Sequence, residues 1–380
     1  MKVECPRCHN QNNHYLYEYL GEYYCRKCIS FSRVKINDQR LTKRVKYSCQ
    51  TVKYHLDFQL SSRQLEISHQ LLQNYINRKN SFVWAVCGSG KTEIVFEVIQ
   101  YALQQGERVC FCIPRKELVK ELYQRIRTCF QNIDIGLLYG GYEEKKNAQF
   151  IICTMHQLYK FENDIGFDLV ISDEVDAFPF YKNEVLEEIF SRCCLGTFIK
   201  LSATFVPKDI QNGELLIMNR RYHGVDLPVP QKILCPQWLQ RWLLLIILLK
   251  KRKRWIVYVP TIQLVEDIVY FLKLFKRNVE GVSSKSFDSQ TYIHHLKNSS
   301  HFILVSTTLL ERGITIEDVH VIVLYSEHQI FDERTLIQIA GRVGRKPNYT
   351  TGDIYFITAH FSKEIQKCIQ TIKKLNQMNV

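Results

Sequence analysis

A short apolar strand that runs directly into a glycine-rich loop is the feature that most restricts the fold of this chain. Residues 82–86 read FVWAV, and residues 85–92 read AVCGSGKT, which is the pattern Ala or Gly, four residues, Gly-Lys and then Ser or Thr. In this pattern the glycines let backbone N–H groups close around phosphates, and Lys91 reaches the β- and γ-phosphates. The Thr92 hydroxyl binds magnesium, and a helix that starts at Thr92 would add its positive end. The pattern predicts a nucleotide-binding α/β domain.

Short apolar strands alternate with longer amphipathic stretches along most of the chain. The predicted strands are residues 82–86, 108–113, 150–153, 169–172, 198–202, 255–259, 302–306, 319–325 and 353–358. Because these strands are almost entirely apolar, both faces of their sheets must be covered, as in parallel sheets flanked by helices. The expected fold class is therefore α/β, with two such units of similar size.

The same pattern gives expected boundaries. A four-cysteine module, a connector, a first α/β unit, a linker and a second α/β unit are predicted at residues 1–35, 36–62, 63–215, 216–237 and 238–380. The stretch WLLLIILL at 242–249 is too short to span a bilayer and predicts a buried helix, with an interfacial membrane segment as the alternative. The basic residues 250–254 that follow it predict a solvated helix end, and the alternative is an extra contact to DNA or anionic lipid.

Two CxxC pairs near the N-terminus predict a small metal site. Cys5 and Cys8 form one pair, Cys25 and Cys28 form the other, and residues 9–24 separate them. Four thiolates at this spacing suit Zn²⁺ in a fold that depends on the metal. A redox CxxC normally opens a helix after a strand and does not need a second pair. Since four sulfur atoms would fill the coordination sphere, the expected zinc site is structural.

Three acidic residues follow the predicted strand 169–172. Asp173, Glu174 and Asp176 lie together although the chain has a formal net charge of +13, which favours a polyanionic partner. The carboxyl ends of parallel strands meet at one sheet edge, so Asp173 is expected to face the same magnesium ion as Thr92. Glu174 would then orient or deprotonate the attacking water. The alternative is a solvated acidic turn.

The order of these motifs resembles superfamily 2 helicases. AVCGSGKT resembles motif I, DEVD motif II, Ser202-Ala-Thr204 motif III, residues 307–313 (TTLLERG) motif V and residues 338–345 (QIAGRVGR) motif VI. The resemblance implies two RecA-like domains that hydrolyse ATP. It also implies that Arg345 is an arginine finger, with Arg342 beside it and Gln338 near the γ-phosphate. Their spacing of three residues predicts that both arginines project from one helix face.

The resemblance extends to fainter motifs. Residues after three strands contact nucleic-acid backbone in the superfamily, which implies DNA contacts at Arg115, Thr154 and Thr308. Gln64, in LSSRQ, resembles the glutamine that reads adenine. The ATP-binding residues that the resemblance implies are Gln64, Gly88, Ser89, Gly90, Lys91, Thr92 and Gly313.

Within the superfamily, the cysteine module together with DEVDAFPF and TTLLERGIT resembles the ComFA family. That resemblance implies an ATP-driven translocase that draws single-stranded DNA into a competent cell. It implies a cytoplasmic protein, peripheral at the inner face of the membrane beside the uptake channel. The implied partners are a phosphoribosyltransferase-like competence protein and a recombination mediator. The sequence predicts neither a secretory signal nor a transmembrane segment.

Several alternatives stay open at this level. A primosomal restart helicase has a related core, but its zinc region lies inside the helicase portion. An RNA helicase is a second alternative, and a non-enzymatic nucleic-acid scaffold with a vestigial nucleotide site is a third. The cysteine module itself has three candidate roles, which are to hold DNA, to dock a partner or to brace the first α/β unit. Arg7, Arg26 and Lys27 are expected to be exposed on it.

Overall fold

The computed structural model describes residues 4–36, 42–49, 51–177, 179–205, 210, 212–251, 253–276, 278–282, 301–307 and 316–378. Contacts divide the chain into two compact units. The first comprises Met1–Trp84 and Gly90–Ile217, and the second comprises Ala85–Ser89 and Met218–Val380. Two predicted site residues, Thr308 and Gly313, lie outside the described residues.

The first unit contains a hairpin and a larger sheet. The hairpin strands are β1 (Leu16–Tyr19) and β2 (Glu22–Cys25). The strands of the sheet are β3 (Asn80–Ala85), β4 (Val109–Ile113), β5 (Ile135–Tyr139), β6 (Tyr142–Glu144), β7 (Phe150–Thr154), β8 (Phe167–Ser172), β9 (Cys194–Ser202) and β10 (Gly213–Met218). The described helices of this unit are α1 (Ser62–Ile76), α2 (Phe96–Gln104), α3 (Lys116–Cys129) and α4 (Glu184–Cys193).

The strand order of this sheet brings the predicted motifs to one edge. The order is β10-β3-β9-β8-β4-β7-β5-β6, and the neighbours from β3 to β5 are parallel. Every residue of β4, β7 and β8 is buried, as a sheet with both faces covered requires. Because β9 alone separates β3 from β8, the loops that follow these two strands start about 10 Å apart.

The cysteine module packs against the first sheet and not only on itself. Cys5, Cys25, Cys28 and Phe31 belong to the same buried cluster as side chains of β4, β7 and β8. The Phe31 ring also stacks on His156, with centroids 5.5 Å apart and an interplanar angle of 19°. The module therefore shares a hydrophobic core with the α/β domain.

The second unit is built around another parallel sheet. Its strands are β11 (Gln231–Leu234), β12 (Arg254–Tyr258), β13 (Val279–Val282), β14 (Phe302–Ser306), β15 (Val319–Val323) and β16 (Ile354–Thr358). Its described helices are α5 (Gln240–Lys250), α6 (Ile262–Lys273), α7 (Glu333–Ala340) and α8 (Lys363–Gln377). The order is β11-β16-β15-β12-β14-β13, with all neighbours parallel. The two sheets confirm the predicted α/β class.

Helix α5 differs from the prediction of a buried helix. Leu244, Leu245 and Leu248 are buried, but Trp242 and Ile246 on the other side are exposed. The helix is apolar around most of its circumference, and packing covers only one side of it. In the part of the chain that the structure describes, no helix is both long and apolar enough to cross a membrane.

Candidate nucleotide site and cysteine cluster

The predicted pairing of motif I with motif II is present in the first unit. Lys91 Nζ lies 3.7 Å from Asp173 Oδ1, and both side chains are largely buried. Lys91 is in the loop after β3, and Asp173 directly follows β8. The parallel sheet therefore brings together two residues that are 82 positions apart, at the edge where α/β proteins bind ligands.

The environment of Asp173 suits a cation. Burial raises the pKa of the Asp173 carboxyl, and the nearby Glu174 adds to the rise while Lys91 opposes it. A divalent ion would favour the ionised carboxylate by the same electrostatics that Lys91 uses. Asp173 and Thr92 together offer oxygen ligands of the kind that Mg²⁺ prefers.

Motif II is held in an unusual backbone conformation and is linked to motif III. Glu174 has φ +55°, in the left-handed region, which costs a non-glycine residue about 1 kcal/mol. Such conformations are concentrated at functional sites. The Thr204 hydroxyl donates to Asp176 Oδ2 at 2.8 Å, so the acidic cluster of motif II is tied to the end of β9.

The phosphate-binding loop requires its glycines. Gly88 and Gly90 have φ values of +83° and +77°, which other residues rarely adopt. A Cβ atom on Gly90 would also collide with the side-chain amide nitrogen of Gln64. Gln64 therefore lies beside the loop. Its carbonyl oxygen accepts from the Ser61 backbone N–H at 2.8 Å, in the capping box of α1.

The helix after the loop begins later than predicted. A 3₁₀ turn spans Glu93–Val95, and α2 starts at Phe96 and not at Thr92. Thr92, Ile94 and Val95 are β-branched and therefore weak helix formers, and 3₁₀ turns are frequent at helix starts.

Motif VI lies in the second unit and departs from the prediction in one respect. Gln338 and Arg342 are buried, and Arg345 is partly buried. Helix α7 ends at Ala340, so Arg342 lies in the turn that follows it and Arg345 lies directly after that turn, and neither is on a helix face. Gly344, with φ +74°, is incompatible with a continuing helix.

Arg221 was not predicted as a site residue, but in the second unit it contacts the glycine-rich loop and motif VI. This unit includes residues 85–89, and Arg221 Nε donates to the Cys87 carbonyl oxygen at 3.2 Å. Its Nη2 donates to the Gly341 carbonyl oxygen, also at 3.2 Å. Cys87 Sγ donates to Gln338 Oε1 at 3.3 Å. Burial lowers the pKa of Arg221 to about 10, and Arg345 contributes. Arg221 is not part of a recognisable motif, so the sequence did not indicate that it would lie at the site.

The four predicted zinc ligands form one cluster. The Sγ atoms of Cys5, Cys8, Cys25 and Cys28 all lie within 4.8 Å of one another. Two pairs, Cys5 with Cys28 and Cys8 with Cys25, are each 3.7 Å apart. Tetrahedral Zn²⁺ with bonds of about 2.3 Å places its sulfur atoms about 3.8 Å apart, so the cluster is consistent with zinc.

Arg7 is buried, and the prediction that it is exposed is wrong. Its Nε atom lies 2.8 Å from Glu162 Oε1, and the two side chains are 1% and 0% exposed. Arg7 also donates to the backbone carbonyl oxygens of Cys28 and Ser32, at 3.2 Å and 2.8 Å. The Arg7 side chain of the CxxC loop is thus buried against the adjoining domain. The carboxylate of Glu162, which is distant in sequence, compensates for the burial of its charge. Arg26 and Lys27 are exposed, as predicted.

Two of the three predicted DNA contacts lie at the same edge of the first sheet. Thr154 is the last residue of β7 and is buried, and Arg115 precedes α3, two residues after β4. The strands β4 and β7 are neighbours, with Ile113 opposite Thr154. The structure therefore brings both loops to the sheet edge that carries Asp173.

Comparison with known proteins agrees with this arrangement. Residues 57–206 match the family described as "Type III restriction enzyme, res subunit", and residues 238–347 match "Helicase conserved C-terminal domain". Dbp5 of S. cerevisiae, in a structure bound to RNA and ADP BeF3, has a similar fold with a TM-score of 0.59 at 16% identity, over 84% of this chain and 92% of that one. The fold and the motif I–motif II pair define a superfamily 2 helicase ATPase.

Two relatives specify the family. The chain is 33% identical to competence protein ComFA of Streptococcus pneumoniae (strain R6), over 99% of this chain and 91% of the relative. It is 30% identical to competence protein ComFA of Bacillus subtilis (strain 168), over 99% of this chain and 86% of the relative. The chain therefore belongs to the ComFA family of competence proteins.

Proposed function

We propose that this protein uses ATP hydrolysis to move along single-stranded DNA. The observation that carries the proposal is the 3.7 Å approach of Lys91 Nζ to Asp173 Oδ1 at the carboxyl ends of β3 and β8. A largely buried lysine and a largely buried carboxylate at this edge would supply a phosphate contact and a metal ligand. The expected domain boundaries, with helicase domains at 63–215 and 238–380, are part of the proposal.

The residues of the first unit have distinct proposed roles. Lys91 contacts the β- and γ-phosphates of ATP, and Gln64 contacts the adenine. Thr92 and Asp173 would hold Mg²⁺, which neutralises charge on the phosphates when it is bound. Glu174 accepts a proton from the attacking water or orients it. The backbone of Gly88, Ser89 and Gly90 encloses the phosphates.

The residues of the second unit stabilise developing charge. We assign Arg345 as the arginine finger, Arg342 as its neighbour and Gln338 as a γ-phosphate contact. Gly313 is assigned to the nucleotide site by family resemblance. A preorganised guanidinium aimed at the transferring phosphoryl group is among the larger contributions to such reactions.

DNA is proposed to be held through its backbone. Arg115 and Thr154 lie at the sheet edge that suits such contacts, and Thr308 is added by family resemblance. Contacts to phosphate and sugar carry no base information, so little sequence preference is expected.

The cysteine cluster is proposed to bind one structural Zn²⁺. A bound divalent cation would favour the thiolate form of all four cysteines. Elemental analysis of purified protein should find about one zinc per chain, and serine substitution of Cys5 and Cys28 together should remove it. Full zinc content in that double variant would contradict the assignment.

The remaining partners and the location in the cell are proposals from the family. They are a phosphoribosyltransferase-like competence protein, a recombination mediator and the membrane uptake channel, at the cytoplasmic face of the membrane. An exposed apolar face supports an attachment of this kind: Trp238 is 76% exposed, and Trp242, Ile246 and Leu249 extend the face along α5.

Steady-state ATP hydrolysis tests the proposal most directly. The rate is measured without nucleic acid and with single-stranded DNA, duplex DNA or RNA, and Lys91→Ala serves as the inactive control. Strong stimulation by single-stranded DNA that the control lacks is the expected result. Preferential stimulation by RNA would support the RNA helicase alternative, and no stimulation by any polymer would contradict the translocase role.

A further inference from the structure

The hairpin of the cysteine module has two faces with different chemistry. Tyr17 lies opposite Tyr24 in the register of β1 and β2, and their ring centroids are 6.2 Å apart. Tyr19 follows Tyr17 by two residues and therefore lies on the same face. The other face carries Glu18 and Tyr23, which are also opposite each other. One face is thus a row of tyrosine rings.

Two arginines lie against rings of the first face, which stay partly exposed: Tyr17 is 48% and Tyr19 is 54% exposed. The guanidinium carbon of Arg26 lies 4.3 Å from the centre of the Tyr17 ring. That of Arg33 lies 4.8 Å from the centre of the Tyr24 ring and 5.2 Å from that of Tyr19. These distances are within the range of cation–π attraction. Both arginine side chains are exposed, so their charge is available to a ligand.

The charge balance of this face is positive. Its one acid, Glu22, already pairs with Lys35 at 2.5 Å. Lys27, the next cation after Arg26 along the chain, pairs with Glu184 of α4 at 3.3 Å and so faces the α/β domain. Arg26 and Arg33 are therefore the exposed cations beside the tyrosine rings.

The fold holds this face in place. Cys25 ends β2 and belongs to the cysteine cluster, so Arg26 follows directly from a metal-ligand position. The backbone N–H of Arg26 also donates to the Tyr15 carbonyl oxygen at 2.7 Å. Beyond Arg33, Lys35 forms an antiparallel bridge with Tyr24. Because the backbone of this face is already ordered, a ligand would lose little affinity to ordering it on binding.

We propose that this tyrosine–arginine face (Tyr17, Tyr19, Tyr24, Arg26 and Arg33) is a binding site for single-stranded DNA, separate from the helicase motifs. Exposed rings offer stacking surfaces for unpaired bases, and the guanidiniums offer phosphate contacts, which is the usual chemistry of sequence-tolerant single-strand binding. The unneutralised positive charge favours a polyanion over an apolar protein surface. The choice of DNA as the strand rests on the proposed function.

The hairpin supplies its own matched control. Tyr17 and Tyr23 are both 48% exposed, but only Tyr17 is on the tyrosine–arginine face. The affinity of the full-length protein for a fluorescent oligothymidylate is measured by anisotropy for Tyr17→Ser and Tyr23→Ser. We expect Tyr17→Ser to weaken binding about tenfold and Tyr23→Ser to change it less than about twofold. Zinc content checks that the cysteine module is intact in both variants.

The arginines are tested through salt dependence. On a single strand, the slope of log affinity against log salt falls by about 0.7 for each phosphate that a protein cation no longer neutralises. Arg26→Gln combined with Arg33→Gln should therefore reduce the slope by about 1.4.

The outcomes separate this inference from the proposed function. The proposed DNA-binding site is refuted if Tyr17→Ser and Tyr23→Ser bind DNA with equal affinity and the arginine variant keeps the wild-type salt slope. The tyrosine–arginine face would then be a candidate surface for a protein partner. Stimulation of wild-type ATPase by single-stranded DNA tests the proposed function alone. A loss of affinity confined to Tyr17→Ser supports the face whether or not that stimulation occurs.

Discussion

Replacing Arg7 by methionine should destabilise the first unit strongly. Arg7 and Glu162 are 1% and 0% exposed and lie 2.8 Å apart, so removing the guanidinium takes away the cation that neutralises a buried carboxylate. Removing one partner of a buried pair costs about 3–5 kcal/mol of unfolding free energy, because the remaining charge keeps its desolvation penalty. Arg7→Met also removes the hydrogen bonds to the carbonyl oxygens of Cys28 and Ser32. We therefore expect the unfolding free energy to fall by an amount within this range.

The double variant Arg7→Met/Glu162→Leu tests the reason for the loss. It removes both charges, so its loss should be smaller than the sum of the two single losses by about 1–3 kcal/mol. Urea unfolding followed by tryptophan fluorescence measures each free energy.

Lys27→Met is the matched control, because Lys27 joins the same module to the same domain through Glu184. That pair is 38% and 85% exposed, and its loss should cost about 1 kcal/mol or less. If Arg7→Met were no more destabilising than Lys27→Met, the buried pair would not be what braces the module.

Glu174→Gln should lower the rate of ATP hydrolysis at least about 100-fold while the affinity for ATP stays unchanged, because the amide cannot take up a proton; wild-type turnover would remove Glu174 from this role. Gly90→Ala should weaken ATP binding about tenfold or more, since the new Cβ meets Gln64 and φ is +77°. Gly140→Ala, in open space, should bind ATP normally, and equal affinities in the two alanine variants would contradict the argument. Burial lowers the pKa of His320, so the unfolded state takes up a proton below about pH 6.5 that the folded state resists. The free energy of urea unfolding should therefore fall between about pH 7 and about pH 5, and less steeply in His320→Gln. Identical pH profiles would refute this reasoning.

Features encoded within a few neighbouring residues could be predicted from the sequence. The apolar strands, the glycine-rich loop of residues 85–92 and the CxxC pairs each depend on local backbone geometry. The approach of Lys91 to Asp173 was also predictable, although the residues are distant in sequence. A parallel sheet places the carboxyl end of every strand at one edge, and this rule needs no knowledge of register.

Other features were decided by tertiary structure. The sequence does not indicate that Arg7 meets Glu162, 155 residues away, or that Arg221 donates to Cys87. Such pairs depend on which surfaces pack together, and a charged residue near a CxxC pair has no local reason to be buried. The same limit applied to motif VI, where the spacing of two arginines suggested one helix face but α7 ends before them.

The hairpin illustrates both levels. Its tyrosines are visible in the sequence, but the strand register alone decides that Tyr17 and Tyr24 share a face with Arg26 while Tyr23 lies on the other. In a pleated strand a shift of one residue exchanges the two faces. The sequence by itself therefore determined the class of fold and the chemistry of the loops, because these follow from short-range geometry. Tertiary structure decided which charges are buried and which rings stay exposed, because these depend on register and packing between distant segments.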